Sequence, residues 1–138
     1  MNLAHHELKI ELSNDWLIEA GMIGFTPAER CYRLDVNAFP NRTAYEVRID
    51  DVGPVHRSQG VGIFNDNDDA AARERVVSIL RGFRCGAAFP PIEVVKGRSD
   101  YGYAYKLVHG THRFYCSLAA GFTHVPAVDG FDITTLNQ

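Results

Sequence analysis

Tyr105-Lys106-Leu107-Val108-His109-Gly110-Thr111-His112-Arg113-Phe114-Tyr115-Cys116-Ser117-Leu118-Ala119-Ala120-Gly121 reads as a strand that turns at Gly110 directly into a helix, and the helix stops at Gly121. Glycine lets the backbone turn where a Cβ would interfere. The first amides of such a helix have no partner within it, and they sit at the positive end of the helix dipole, so a strand-Gly-helix turn makes an anion site. His112 and Arg113 place an imidazole and a guanidinium beside those amides. Cations at a helix start oppose the dipole by about 0.3 to 1 kcal/mol each, so an anionic ligand is the expected compensation. The chemistry of the turn asks for a phosphate.

Working outward, His124-Val125-Pro126-Ala127-Val128 downstream reads as a strand, and the last ten residues as a trailing edge or tail. Upstream, Ile92-Glu93-Val94-Val95 is a strand entered through Pro90-Pro91, and Lys96-Gly97-Arg98-Ser99-Asp100 turns it into the strand of the opening stretch. Before the prolines, Val76, Ile79, Leu80 and Phe83 share one face at helical spacing. That helix is expected to be capped by Asp68 or Asp69 and ended by Gly82 or Gly86. Tyr45-Glu46-Val47-Arg48-Ile49 alternates with period two and is broken by Asp50-Asp51-Val52-Gly53-Pro54, a strand and a turn. The loop over 55–67 carries His56 and Arg57, and a loop of that length is uncommon unless it binds something or moves, which marks Arg57 as a candidate nucleotide clamp.

Nearer the start, Leu8, Ile10 and Leu12 alternate with Lys9 and Glu11 as in a half-buried strand. Ser13-Asn14-Asp15 offers a cap for a short helix closed by Gly21. The segment 22–40 has aromatic anchors (Phe25, Tyr32, Phe39) but no clean period, and is expected to be loop and short strand packed on the main domain. The order of elements predicts a single small α+β domain over 45–138, a mixed sheet with helices, preceded by an N-terminal extension over 1–44.

Composition sets limits on function. A chain of 138 residues is one domain by size and long enough for a core without staples. Its apolar runs fall short of a bilayer span, and its start lacks the basic flank and apolar run of a secretory signal, so the expected location is cytoplasmic with no membrane contact. A net charge of −3 argues against wrapping nucleic acid by bulk attraction. The three cysteines, with no C-x-x-C pair, fit reduced thiols rather than a disulfide framework or a metal site. His112 and Cys116 stand four apart on the helix, but Cys116 reads as core, because free cysteine is commonly buried and no further ligands have metal spacing. Arg73, Arg75, Arg81 and Arg84, interleaved with Glu74, read as a solvated helix face. Tyr101, Tyr103, Tyr105 and Phe114 offer rings that could stack a base, but alternate tyrosines on a strand more often cover a core.

Taken in order, Ser78-Ile79, Phe89-Pro90-Pro91-Ile92-Glu93-Val94, residues 105–108, Gly110-Thr111-His112-Arg113, the helix ending Ala119-Ala120-Gly121, and Val125-Pro126-Ala127-Val128 resemble the ParB N-terminal/sulfiredoxin-like superfamily over 45–128. The resemblance implies a nucleotide pocket with Gly110, Thr111, His112 and Arg113 on the phosphates, joined by Ser78 from the preceding helix. In the sulfiredoxin branch the turn is Gly-Cys-His-Arg, and its cysteine is catalytic. Thr111 stands in that place here, and an alcohol cannot replace a thiolate in reducing a sulfinic acid, so sulfiredoxin activity is not expected. The ParB branch binds CTP and carries a DNA-reading helix-turn-helix domain after it, for which the ten residues beyond Val128 leave no room. A free-serine kinase of the same superfamily uses a similar turn, a precedent for phosphotransfer.

One departure is electrostatic. Ala71 and Glu74 stand where the sulfiredoxin pattern has a lysine and a serine, and a carboxylate facing a triphosphate needs an intervening Mg²⁺. The expected function is therefore binding of a nucleoside triphosphate, ATP or CTP, with Mg²⁺ and with NTP hydrolysis or phosphotransfer as the accompanying chemistry. His112 and Arg113 would stabilise the phosphoryl charge, and Glu74 or Asp100 is the candidate base or metal ligand. The alternative is a non-enzymatic DNA-associated or protein-interaction module on the same scaffold.

Overall fold

The structure is a computed structural model that describes residues 14–53, 69–97 and 102–130. The strand expected at 8–12, the loop carrying Arg57, Asp100 and the tail beyond Gly130 lie outside the described residues.

Four strands form the main sheet. They are β2 (Tyr45–Arg48), β4 (Ile92–Lys96), β5 (Tyr105–His109) and β6 (His124–Asp129), in the spatial order β2-β6-β4-β5. β2 runs antiparallel to β6, β4 antiparallel to β5, and β4 parallel to β6, so the sheet is mixed. The expected strands lie here because their alternation is genuine. Val47, Ile92, Val94, Leu107, Val125 and Ala127 turn to the core, while Glu46, Arg48, Lys96 and Lys106 stay exposed. A 3₁₀ turn over Ile49–Asp51 then carries the chain from the β2 edge to the opposite edge, where Val52 bridges Tyr105. The Gly53 amide donates to the Tyr105 carbonyl at 3.0 Å. The sheet is curled enough for Tyr45 and Tyr105, on its two edge strands, to bring their ring centroids within 6.4 Å.

The helices are α1 (Asn14–Glu19), α2 (Asp69–Cys85) and α3 (Thr111–Ala120). α2 buries Val76, Val77, Ile79, Leu80 and Phe83, and α3 buries Phe114, Tyr115, Cys116 and Ala120. These side chains join the sheet in one hydrophobic cluster that also takes in Met22 and Tyr32 from the segment after α1. Two short parallel strands, β1 (Arg33–Leu34) and β3 (Ala88–Phe89), pair with each other and tie that segment to the chain leaving α2. The Arg30 carbonyl accepts the amides of Thr123 and His124, a second tie next to β6. Pro126 and Val128 are buried on the side where Leu34, Phe39 and Ala44 line two clefts. The described part is therefore a small α+β domain with a mixed sheet, and none of its helices is long and apolar enough to cross a membrane.

One sequence expectation about the end of α2 is resolved by packing. Gly82 and Gly86 were equivalent candidates to stop the helix, but α2 runs through Gly82 to Cys85, and Gly86 leaves it with φ at +75°. Gly82 serves a different purpose. A β-carbon there would fall 2.2 Å from the Phe89 ring, which packs edge-on against Phe83 and against Tyr32. Gly82→Ala is therefore expected to destabilise the domain by about 1 to 3 kcal/mol through overpacking, against the slight gain that alanine gives in an unobstructed helix. A shift of the urea midpoint at unchanged slope checks it; a stabilised variant would show that the Phe89 ring moves aside freely.

Candidate functional site

The expected strand-turn-helix is present, with β5 ending at His109 and α3 beginning at Thr111. Gly110 caps the helix in the left-handed region, at φ 99° and ψ 29°. A side chain there would be strained in the backbone and also obstructed, since its Cβ would lie 2.8 Å from Ile92 Cγ2 and 3.1 Å from Arg113 Nη2. The helical ladder opens with the Phe114 amide donating to the Gly110 carbonyl at 2.9 Å, so the amides ahead of it belong to the helix end. No acidic residue occupies the first turn of α3, and the side chains of Thr111, His112 and Arg113 are all half-buried there. The helix ends at Gly121, at φ 93°, whose amide returns to Leu118.

Arg113 is folded inward. Its Nη2 donates to the Pro91 carbonyl at 3.2 Å, and its Nε is buried with no hydrogen-bond partner among the described residues. The Tyr32 hydroxyl stands beside the guanidinium and donates to the neighbouring Pro90 carbonyl at 2.5 Å. Burial pushes the Tyr32 phenol well above its ordinary range, and the Arg113 charge only partly offsets this, so the hydroxyl is neutral. Among the described residues Arg113 forms no ion pair. The sequence marked Tyr32 only as an aromatic anchor. Its place next to Arg113 depends on chain segments too far apart to leave a local pattern.

The other expected site residues lie differently. Ser78 and Glu74 are exposed on α2 and line a groove of about 540 Å³ whose remaining walls are Glu19, Arg73, Val77 and Arg81. None of Gly110, Thr111, His112 and Arg113 lines that groove. Glu19 of α1 pairs with Arg73, and its carbonyl accepts from Arg81 Nη2 at 3.1 Å. The two arginines thus fasten α1 to α2, while Arg75 and Arg84 are exposed. Arg57 and Asp100 lie outside the described residues.

Phe114 and Cys116 are fully buried, so they belong to the core. Among the described residues no three His, Cys, Asp or Glu side chains gather as a metal group. Neither a scan of the chain against protein-family models nor a comparison with curated proteins finds a match.

Burial raises the Cys116 thiol from 9.0 to about 12, and burial followed by the charge of Glu46 raises Cys31 from 9.0 to about 11. In both cases the folded chain keeps a proton that the unfolded chain releases. The resulting stability is complete below the unfolded value of 9.0 and is lost as the pH rises toward about 12 for Cys116. For Cys116 the expected fall is up to about 1.4 kcal/mol per pH unit above pH 9, with a smaller, solvent-screened share from the half-exposed Cys31. Urea midpoints followed from about pH 8 to about pH 10.5 should decline, and Cys116→Ala should flatten the decline while lowering stability throughout. A decline of the same slope in the variant would remove Cys116 as its source.

Proposed function

We propose that this chain is a nucleotide-binding protein of the ParB/sulfiredoxin-like kind, holding phosphate groups at the start of α3. The observation that carries this reading is the left-handed glycine at the helix start, followed by a half-buried arginine whose Nε has no partner. A buried donor left unpaired costs about 1 to 3 kcal/mol, and a cation at a helix N-terminus adds a further penalty. A phosphate oxygen removes both, since it accepts from guanidinium and helix amides together. A thiol-based reductase is disfavoured by Thr111 at the start of the helix and by Cys116, whose raised pKa keeps it protonated in the core.

Gly110, in the left-handed region, turns the backbone into α3, and the amides of the turn bind the phosphate. Thr111 adds a hydroxyl, while His112 and Arg113 supply imidazole and guanidinium at the same helix start. Mg²⁺ commonly keeps waters and substrate phosphates as ligands, so in this reading it would arrive with the nucleotide, and Thr111 would offer it, or the phosphate, a hydroxyl oxygen. Ser78 and Glu74 open onto the α1-α2 groove, and Glu74 is assigned no step. Phosphoryl transfer or hydrolysis remains the chemistry this kind of grip would serve, with Arg113 neutralising charge on the transferring group.

Calorimetric titration with ATP, CTP, GTP and ADP, each with and without Mg²⁺, tests the reading. At least one triphosphate is expected to bind more tightly than about 1 mM, and Arg113→Ala is expected to weaken it by about 10-fold or more, the weight of a charge-assisted hydrogen bond. No binding in that range, or an Arg113→Ala variant that binds as the parent does, would refute the nucleotide reading.

A further inference from the structure

We infer that Tyr32 is the positioning residue for Arg113, setting the guanidinium at the phosphate site from outside the strand-turn-helix that carries it. The inference rests on the phosphate reading of α3. It is argued from geometry around the Pro90-Pro91 corner. Proline has no amide hydrogen, so these two residues present carbonyl acceptors and no donors. The Pro90 carbonyl accepts from the Tyr32 hydroxyl at 2.5 Å and the next carbonyl accepts from Arg113 Nη2 at 3.2 Å. One rigid corner thereby fixes both side chains, and they stand side by side.

Tyr32 is itself held firmly. The residue is 3% exposed, and its ring stacks on Phe83 at 5.2 Å and 12° and meets the Phe89 ring at 6.1 Å in a T-shaped contact. The Gly110 backbone also lies against the guanidinium, where even a single added carbon would come within 3.1 Å of Nη2. The guanidinium therefore lies among the prolyl carbonyl, the phenol and the glycine. Pro91 takes one N–H of Nη2, and the buried Nε is left without a partner among the described residues. Because the phenol stays neutral, it orients Arg113 without cancelling its charge, which remains available to an anion. A carboxylate at the same place would have consumed it. Tyr32 contributes no atom to chemistry; its role is to reduce the guanidinium's freedom before the ligand arrives, which lowers the entropy lost on binding.

Tyr32→Phe keeps the ring and removes the hydroxyl. With Mg²⁺ and whichever of ATP, CTP and GTP binds the parent most tightly, the variant is expected to bind about 5-fold more weakly, the usual weight of one hydrogen bond. In an Arg113→Ala background the same change is expected to have no further effect, giving a non-additive cycle. A purely structural role would weaken binding equally in both backgrounds, and that additivity would overturn the positioning role, as would unchanged affinity in Tyr32→Phe alone. Should the parent bind none of ATP, CTP and GTP, the nucleotide reading and this inference both fall, an outcome distinct from additivity. Thermal melts establish that each variant is folded at the assay temperature. In the parent protein, where folding is not at issue, the Arg113 Nε–H resonance should shift on saturation with the bound triphosphate; a resonance that stays in place would overturn the role assigned to that donor.

Discussion

The contact between Gly110 and Ile92 is the constraint on which the site depends. Ile92 opens β4, is fully buried, and sits opposite Ala127 of β6 in the interior of the sheet. Gly110 packs so closely on it that a methyl group would collide at 2.8 Å, and it does so in a left-handed conformation that other residues rarely adopt. The two requirements select the same residue. Together they fix where α3 departs from β5, and therefore where its positive end lies relative to the centre of the sheet. Phe114, Tyr115 and Cys116 follow at once and are buried against that sheet and α2, so the helix start cannot drift without disrupting the core.

A second constraint comes from the Pro90-Pro91 corner that precedes Ile92. Two successive residues without amide hydrogens leave carbonyls that no neighbouring backbone ladder uses, and buried carbonyls need donors. Side chains provide them here, one from the segment before β2 and one from α3. The corner thus joins three separate parts of the chain at the edge of the candidate site. It also explains why the segment after α1 is more than a cover for the sheet. β1 pairs with β3 just ahead of the prolines, and that pairing delivers Tyr32 to the corner.

What was legible in the sequence follows from how far each signal reaches. β2, β4 and β5 were readable because Val47, Ile92, Val94 and Leu107 alternate with more exposed neighbours, and β6 as a short apolar run from Val125 to Val128, patterns complete within a few residues. α2 showed its buried stripe in Val76, Ile79, Leu80 and Phe83, and α3 was bounded by its two glycines. The pairing of β1 with β3 was not legible, since two residues in each strand cannot display a period. Nor was the curl of the sheet, which is expressed by one bridge between Val52 and Tyr105. At the site, the glycine, the threonine and the two cationic residues could be named from local order alone. The inward set of Arg113 could not, because the Tyr32 hydroxyl and its Pro90 acceptor are 58 residues apart. Ser78 and Glu74 were placed with the phosphates by resemblance rather than by helix geometry, and they line the groove that faces Glu19.

The electrostatics of the corner explain why a neutral partner suits Arg113. Elsewhere on this surface arginines meet carboxylates: Arg30 with Glu46, Arg42 with Glu93, Arg73 with Glu19. Each of those pairs spends its charge on a local contact and, where exposed, adds little stability. Arg113 differs from these three, steadied by a backbone carbonyl and set beside a phenol that burial keeps from ionising. Its unit charge is then added to the positive end of α3 instead of being neutralised by a neighbour. In the partly dehydrated surroundings of the corner, that field is screened less than it would be at the surface. Orientation without neutralisation is what the proposed anion-binding role requires, and it separates Arg113 from the arginines paired with carboxylates.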